Sequence, residues 1–184
     1  PSLHSKQWLR YRLKPGHVKQ RLFLLKTFDH LTVVGLREWV ALPDLGVAGL
    51  RAKIDTGAST SSLHATDIQP FERDGHSWVR FTAHLGTVMQ LRHRHCEAPL
   101  LTLKTIKSSN GHTQSRYVIR TTLSLGDRSW PVDFTLTCRK AMRYRLLIGA
   151  NALVDGQLVV NPALSYIQDK PAIPAANSTV TGVQ

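Results

Sequence analysis

From Phe28 onward, apolar residues alternate with polar ones or gather into short β-branched runs, and almost no stretch keeps a helical period for three turns. The pattern predicts strands at Leu31 to Val34, Glu38 to Leu42, Val47 to Ile54, Ser61 to Ala65, Trp78 to Leu85, Val88 to His95 and Leu100 to Ile106. Three more are expected at Arg116 to Leu125, Trp130 to Thr137 and Gln157 to Val160. Asp74-Gly75, Asn110-Gly111 and Gly126-Asp127 each separate two such runs, and these residue types accept the positive φ of tight hairpin turns. One short helix is expected, at Ala150 to Val154. The fold class read from this pattern is all-β with one short helix near the C-terminus.

Composition sets the limits of the reading. Hydrophobic residues make up 42% of the 184, enough for a packed core, while two cysteines are too few for a disulfide scaffold. No apolar run approaches the length of a membrane-spanning helix, so a cytoplasmic protein with no membrane partner is expected. Lys and Arg exceed Asp and Glu by 12, which favours an anionic partner. Seven of those charges lie in residues 1–27, which contain no acid and read as a basic N-terminal extension able to meet nucleic acid or the ribosome. Residues 28–168 form the expected domain, and the Pro-, Ala-, Ser- and Thr-rich residues 169–184 a flexible tail.

The chemistry concentrates in Ala52-Lys53-Ile54-Asp55-Thr56-Gly57-Ala58-Ser59-Thr60, where a β-prone run delivers an Asp straight into a turn. An apolar residue followed by Asp-Thr-Gly-Ala is an aspartic-protease signature. Asp55 supplies the carboxylate, Gly57 permits close backbone approach, and the Thr56 hydroxyl can bond across a symmetric interface. The triplet alone arises by chance in roughly a few percent of chains this long, so its context decides. About ninety residues on, Tyr144-Arg145-Leu146-Leu147-Ile148-Gly149-Ala150-Asn151 sets an apolar strand and a Gly before the short helix.

This pair of motifs resembles the retroviral-type aspartic peptidases. More narrowly, Asp55 to Ala65, Phe71 to Gly75, Trp78 to Phe81 and Lys107 to Gly111 are similar to a bacterial retropepsin-like family that carries the label "ATP-dependent zinc protease". The resemblance runs from about Val33 to Tyr166 and implies a retropepsin-like barrel. It implies Asp55 as the catalytic residue, with Thr56, Gly57 and Ala58 as the active-site loop. It further implies Leu147, Ile148 and Gly149 as the brace beneath that loop, and Ser108, Ser109, Asn110 and Gly111 as a flap. Cys138 stands where the family has an acidic or amide residue, and Ala150 where it has Arg.

Water activation by this chemistry needs two carboxylates sharing one proton, and the chain has a single Asp-Thr-Gly, so a two-fold homodimer is expected. The family is associated with a ligase that adds glutamates to a ribosomal protein, which implies trimming of glutamate tails. Arg116, Lys140, Arg143 and Arg145 flank the expected flap and brace and are candidates to bind such a substrate. His64 is placed in the cleft wall, with core packing as its alternative, since Asp55 needs no histidine.

No cofactor and no metal are expected. His93 and His95 share one face of a strand while Cys96 points away, and no second spaced ligand pair follows. A serine hydrolase is excluded for want of a G-x-S-x-G elbow, and Ser59, Ser61 and Ser62 read as hydroxyls that satisfy backbone groups. The alternative of another class is a non-catalytic basic β-domain binding ribosome, nucleic acid or acidic peptide. With 7% aromatic residues, it lacks the stacking platform of RNA-binding sheets.

Overall fold

The computed structural model describes residues 30–86, 92–107, 113–140 and 142–171. They form β1 (Thr32–Gly35), β2 (Arg37–Leu42), a 3-10 turn (Pro43–Leu45), β3 (Val47–Asp55), β4 (Ser61–Arg73), β5 (His76–His84) and β6 (His93–Lys107). After these come β7 (Thr113–Leu125), β8 (Arg128–Thr137), β9 (Leu146–Gly149), α1 (Ala150–Asp155) and β10 (Leu158–Asn161). The expected all-β class with one short helix is what the chain adopts.

Eight strands make one curled sheet in the order β2-β3-β9-β4-β5-β6-β7-β8, with further pairings of β2 to β7 and of β4 to β8, while β1 and β10 form a separate pair. The inward positions fill with Val40, Leu42, Ile54, Leu63, Phe81, Ile119, Phe134, Leu136, Leu146 and Ile148, each at most 2% exposed. Each such side chain contributes about 1.5–3 kcal/mol through its removal from water.

Long strands that change partner produce the curl. β4 pairs with β8 and β9 at Ser61 to His64, then with β5 from Ala65, and a bulge between Thr66 and Gln69 marks the change. Asp67 sits in that bulge at φ +53°. β6 behaves alike, pairing with β5 as far as Pro99 and with β7 from Leu100, with a bulge before Thr102. The sequence pattern predicts two strands here, separated near Pro99. The chain instead runs through as one, because proline's missing N–H is tolerated where the strand leaves one neighbour for the next. The Asp74-Gly75 turn closes β4 onto β5 with both residues at positive φ, as a type I′ hairpin requires.

A buried carboxylate ties down the far end of the chain. Glu38 is fully buried and accepts N–H donations from Gly35 (2.6 Å), Ile167 (3.3 Å) and Gln168 (3.3 Å). Trp130 seats α1 from below, its Nε1 donating to the Ala152 carbonyl at 3.1 Å.

Candidate active site

Asp55 is the last residue of β3, and β9 runs parallel beside it with Asp55 opposite Gly149 and Ile54 opposite Ile148. The carboxylate is held at both oxygens. Gly57 N–H donates to Oδ1 at 3.1 Å, and Lys53 Nζ donates to Oδ2 at 3.1 Å. Strand alternation explains the second contact, since residues two apart share a face. The Asp55 side chain keeps 26% of its surface exposed, so its remaining lone pairs face outward.

The loop that follows is strapped to β9 and α1 through its backbone. Ala150 N–H donates to the Ala58 carbonyl (2.7 Å) and Asn151 N–H to the Ser59 carbonyl (3.1 Å). Gly149 N–H donates to Ser61 Oγ at 3.0 Å, and Thr135 Oγ1 donates to the Ser61 carbonyl at 3.1 Å. The strap is so close that a Cβ on Gly149 would stand 2.7 Å from the Thr60 carbonyl carbon and 2.8 Å from the Ala58 oxygen. Glycine at this brace position is thus a steric requirement. Gly57 differs: it lies exposed, and among the described residues a Cβ there would meet only Asp55 Oδ1 at 3.5 Å. Thr56 is likewise exposed.

The expected substrate-binding cations separate into distinct environments. Arg145 is buried at 7% exposure and its Nη1 donates to the carbonyls of Arg139 (3.2 Å) and Lys140 (3.1 Å). It holds the β8–β9 connection together from inside and leaves little surface for a substrate, contrary to its sequence-based expectation. Lys140 and Arg143 are exposed, the latter over the Tyr144 ring. Arg116 is half-buried on β7, with Nε donating to Gln114 Oε1 at 3.2 Å.

His64 is also corrected from cleft wall to packing residue. It is 2% exposed, stacks on His84 with centroids 4.3 Å apart, and accepts the Arg139 N–H at Nδ1 (3.1 Å). Burial, then the neighbouring His84 and Arg145 charges, push its pKa down to about 4, so the ring is neutral at neutral pH.

The flap residues Ser108, Ser109, Asn110 and Gly111 lie outside the described residues. β6 and β7 pair in register as far as Lys107 opposite Thr113. His93 and His95 meet edge to face on β6 while Cys96 is buried on the other side, and no group of three or more potential metal ligands converges among the described residues.

Two residues at the site carry no assignment from sequence. Lys53 could have been found from its i, i+2 relation to Asp55. Arg139 could not: it lies in a run with Lys140, Arg143 and Arg145, in a connection where no periodicity assigns inside and outside. In the structure Arg139 donates from Nη1 to Ser62 Oγ (3.0 Å) and from Nε to the Tyr144 carbonyl (3.3 Å).

Comparison with known proteins agrees with this geometry. A "Probable alpha-L-glutamate ligase" of Parasynechococcus marenigrum is 44% identical over 135 residues, 73% of this chain and 28% of that protein. A protein of the same name from Desulfotalea psychrophila is 40% identical over 132 residues, again 72% of this chain and 28% of its own length. The chain therefore spans less than a third of these relatives. A crystal structure of a Legionella pneumophila protein of unknown function superposes with a TM-score of 0.62 at 31% identity, covering 74% of this chain and 97% of that one. The model of the RimB-like family, described as the retropepsin-like aspartic endopeptidase RimB, matches residues 33–171. With the Asp-Thr-Gly turn at the end of β3 and the glycine brace beneath it, the chain belongs to the RimB-like family of retropepsin-like aspartic endopeptidases.

Proposed function

We propose that the protein is a peptidase that works as a two-fold homodimer, with one Asp55 from each copy holding and deprotonating the attacking water. The observation that carries this reading is the Asp55 carboxylate itself, fixed by Gly57 N–H on a loop braced by Gly149 and still open outward. Two carboxylates brought close share one proton, so one acts as base toward water while the other donates to the scissile carbonyl oxygen. A single chain supplies one. Thr56 and Gly57 are exposed, and among the described residues only Asp55 Oδ1 comes near a methyl placed on Gly57, which supports an outer face of the loop open to a second copy.

The substrate we propose is a glutamate-rich peptide tail. Support comes from the relatives named as glutamate ligases, in which the matching stretch is one part of a longer polypeptide. A peptidase carried beside an enzyme that joins glutamate has the joined product as its nearest substrate. The test is to incubate wild-type protein and Asp55→Asn with glutamylated and ordinary peptides and follow cleavage by mass spectrometry. Cleavage by wild type and none by the variant is expected, and equal turnover by the two would refute the peptidase reading.

A further inference from the structure

We propose that Lys53, Arg37, Arg51 and Lys170, on the outer side of β2 and β3, form a track leading away from Asp55 that holds the remainder of an acidic peptide tail while the bond to be cut lies at Asp55. This rests on the peptidase reading above and adds a second binding surface to it.

Strand alternation defines the outer side. Glu38, Val40, Ala52 and Ile54 point into the core, each at most 2% exposed, so Arg37, Trp39, Arg51, Lys53 and Asp55 point away from it. Arg37 stands opposite Lys53, and Trp39 opposite Arg51. Lys53 in turn bonds Asp55 at 3.1 Å. Along β3, Asp55, Lys53 and Arg51 therefore succeed one another at steps of about 7 Å, the step at which an extended peptide places its side chains on one side.

Aromatic rings hold the cations beyond Lys53. The Arg51 guanidinium carbon lies 5.9 Å from the centre of the Trp39 ring, and the Lys170 ammonium 4.9 Å from it. Arg37 and Arg143 lie 5.9 Å and 5.8 Å from the centre of the Tyr144 ring. Among the described residues, none of these four cations forms an ion pair. On β4 and β5 the same kind of group carries its own carboxylate: Arg73 and Arg80 lie over Phe71, Arg73 also over Trp78, and both pair with Glu97.

A ring face steadies a cation without cancelling its charge. Arg37 directly opposite Lys53 also sets two like charges side by side, an arrangement that repels and that the carboxylates of a bound chain relieve. Two observations favour a peptide over a nucleic acid as the occupant. The track starts at the carboxylate that the peptidase reading sets against the scissile bond, and its rings carry cations where bases would have to stack.

The test uses the full chain carrying Asp55→Asn, so that binding is read without cleavage, and fluorescein-labelled peptides of four and of ten glutamates. Tighter binding of the longer peptide is expected. Arg37→Gln/Arg51→Gln should reduce that advantage by about five-fold, as two partly exposed charge pairs would. Arg73→Gln/Arg80→Gln, with the same loss of net charge, should keep it. The basic residues 1–27 are common to all these chains, so differences between them report the track. Thermal unfolding checks each variant, and the exposed Arg51→Gln alone, with a loss of about two-fold, decides if the double variant does not fold. The proposal is overturned if length brings no advantage, if the advantage survives the substitutions at Arg37 and Arg51, or if those at Arg73 and Arg80 lower it equally. It is also overturned if a labelled single-stranded RNA loses affinity in Arg37→Gln/Arg51→Gln while the glutamate peptides do not. If wild-type protein cleaves neither peptide yet the advantage behaves as expected, the track stands as an acidic-peptide site and the peptidase reading falls.

Discussion

His64 shows how far a residue's environment can depart from its sequence neighbourhood. Flanked by Leu63 and Ala65 on a strand beside the Asp55 loop, it reads equally well as cleft wall or as core. Burial against His84 and Arg145 decides for the core and lowers its pKa to about 4, below the usual value near 6.5. An unfolded chain therefore binds a proton at this position between those two pH values when the folded chain does not. The stability His64 confers is full above about pH 6.5 and falls as pH drops toward 4, by about 3 kcal/mol in all. Urea unfolding across that range should show His64→Asn, whose amide oxygen can still accept the Arg139 N–H, losing correspondingly less than wild type. Lys53 supplies a second expectation at this scale. Its partly exposed pair with Asp55 contributes at most about 1 kcal/mol to stability, so Lys53→Met should keep the thermal midpoint close to wild type. Because the same substitution strips the ammonium from Asp55 Oδ2, it should slow peptide cleavage, and unchanged turnover would show that Lys53 takes no part. Among the cations, sequence could not separate Arg139 from Arg145, because a connection without regular structure assigns no faces. Only the folded backbone shows that Arg145 reaches inward to two carbonyls while Arg139 stops at Ser62.

The glycines at positions 57 and 149 give a paired test of the Asp55 loop as an element. A methyl at Gly149 would collide with backbone of Ala58 and Thr60, so Gly149→Ala should cost about 1–3 kcal/mol and displace the loop that carries Asp55. Gly57 is not at positive φ and has room for a methyl. Gly57→Ala should leave the unfolding midpoint of the isolated chain nearly unchanged and yet abolish cleavage, if a second copy packs against that face. Retained activity in Gly57→Ala would argue that nothing approaches there. The loop and its brace were legible because both motifs end apolar strands at a small residue, a pattern set by local chemistry. The corners of the sheet were not. Pro99 resembles a strand end, and nothing near Thr66 to Gln69 announces that β4 continues to Arg73, because a change of partner depends on which strands lie alongside. Element type follows from alternation, but the point at which a strand passes from one neighbour to the next is a tertiary property. The buried Glu38 belongs here too. Its three backbone donors come from both ends of the domain, and no local pattern marks a glutamate as the clasp between them.

At the scale of the whole molecule, the proposed dimer makes activity depend on which copies meet. If the water is held by one Asp55 from each copy, a mixed pair of wild type and Asp55→Asn has lost half of the carboxylate dyad and cannot share its proton in the same way. Exchange of subunits then turns the variant into an inhibitor. With wild-type protein held constant and a three-fold excess of Asp55→Asn added, random pairing leaves about a quarter of wild-type subunits paired with their own kind. Activity should fall to about that fraction once exchange is complete, and dilution of wild type alone through its dissociation range should lower specific activity. A variant that folds but does not pair, as expected of Gly57→Ala, should not inhibit when added in place of Asp55→Asn. Activity proportional to wild-type protein at every mixing ratio would mean that each chain works by itself. The second carboxylate would then have to come from elsewhere in the same polypeptide, and the two-fold arrangement proposed for Asp55 would be wrong.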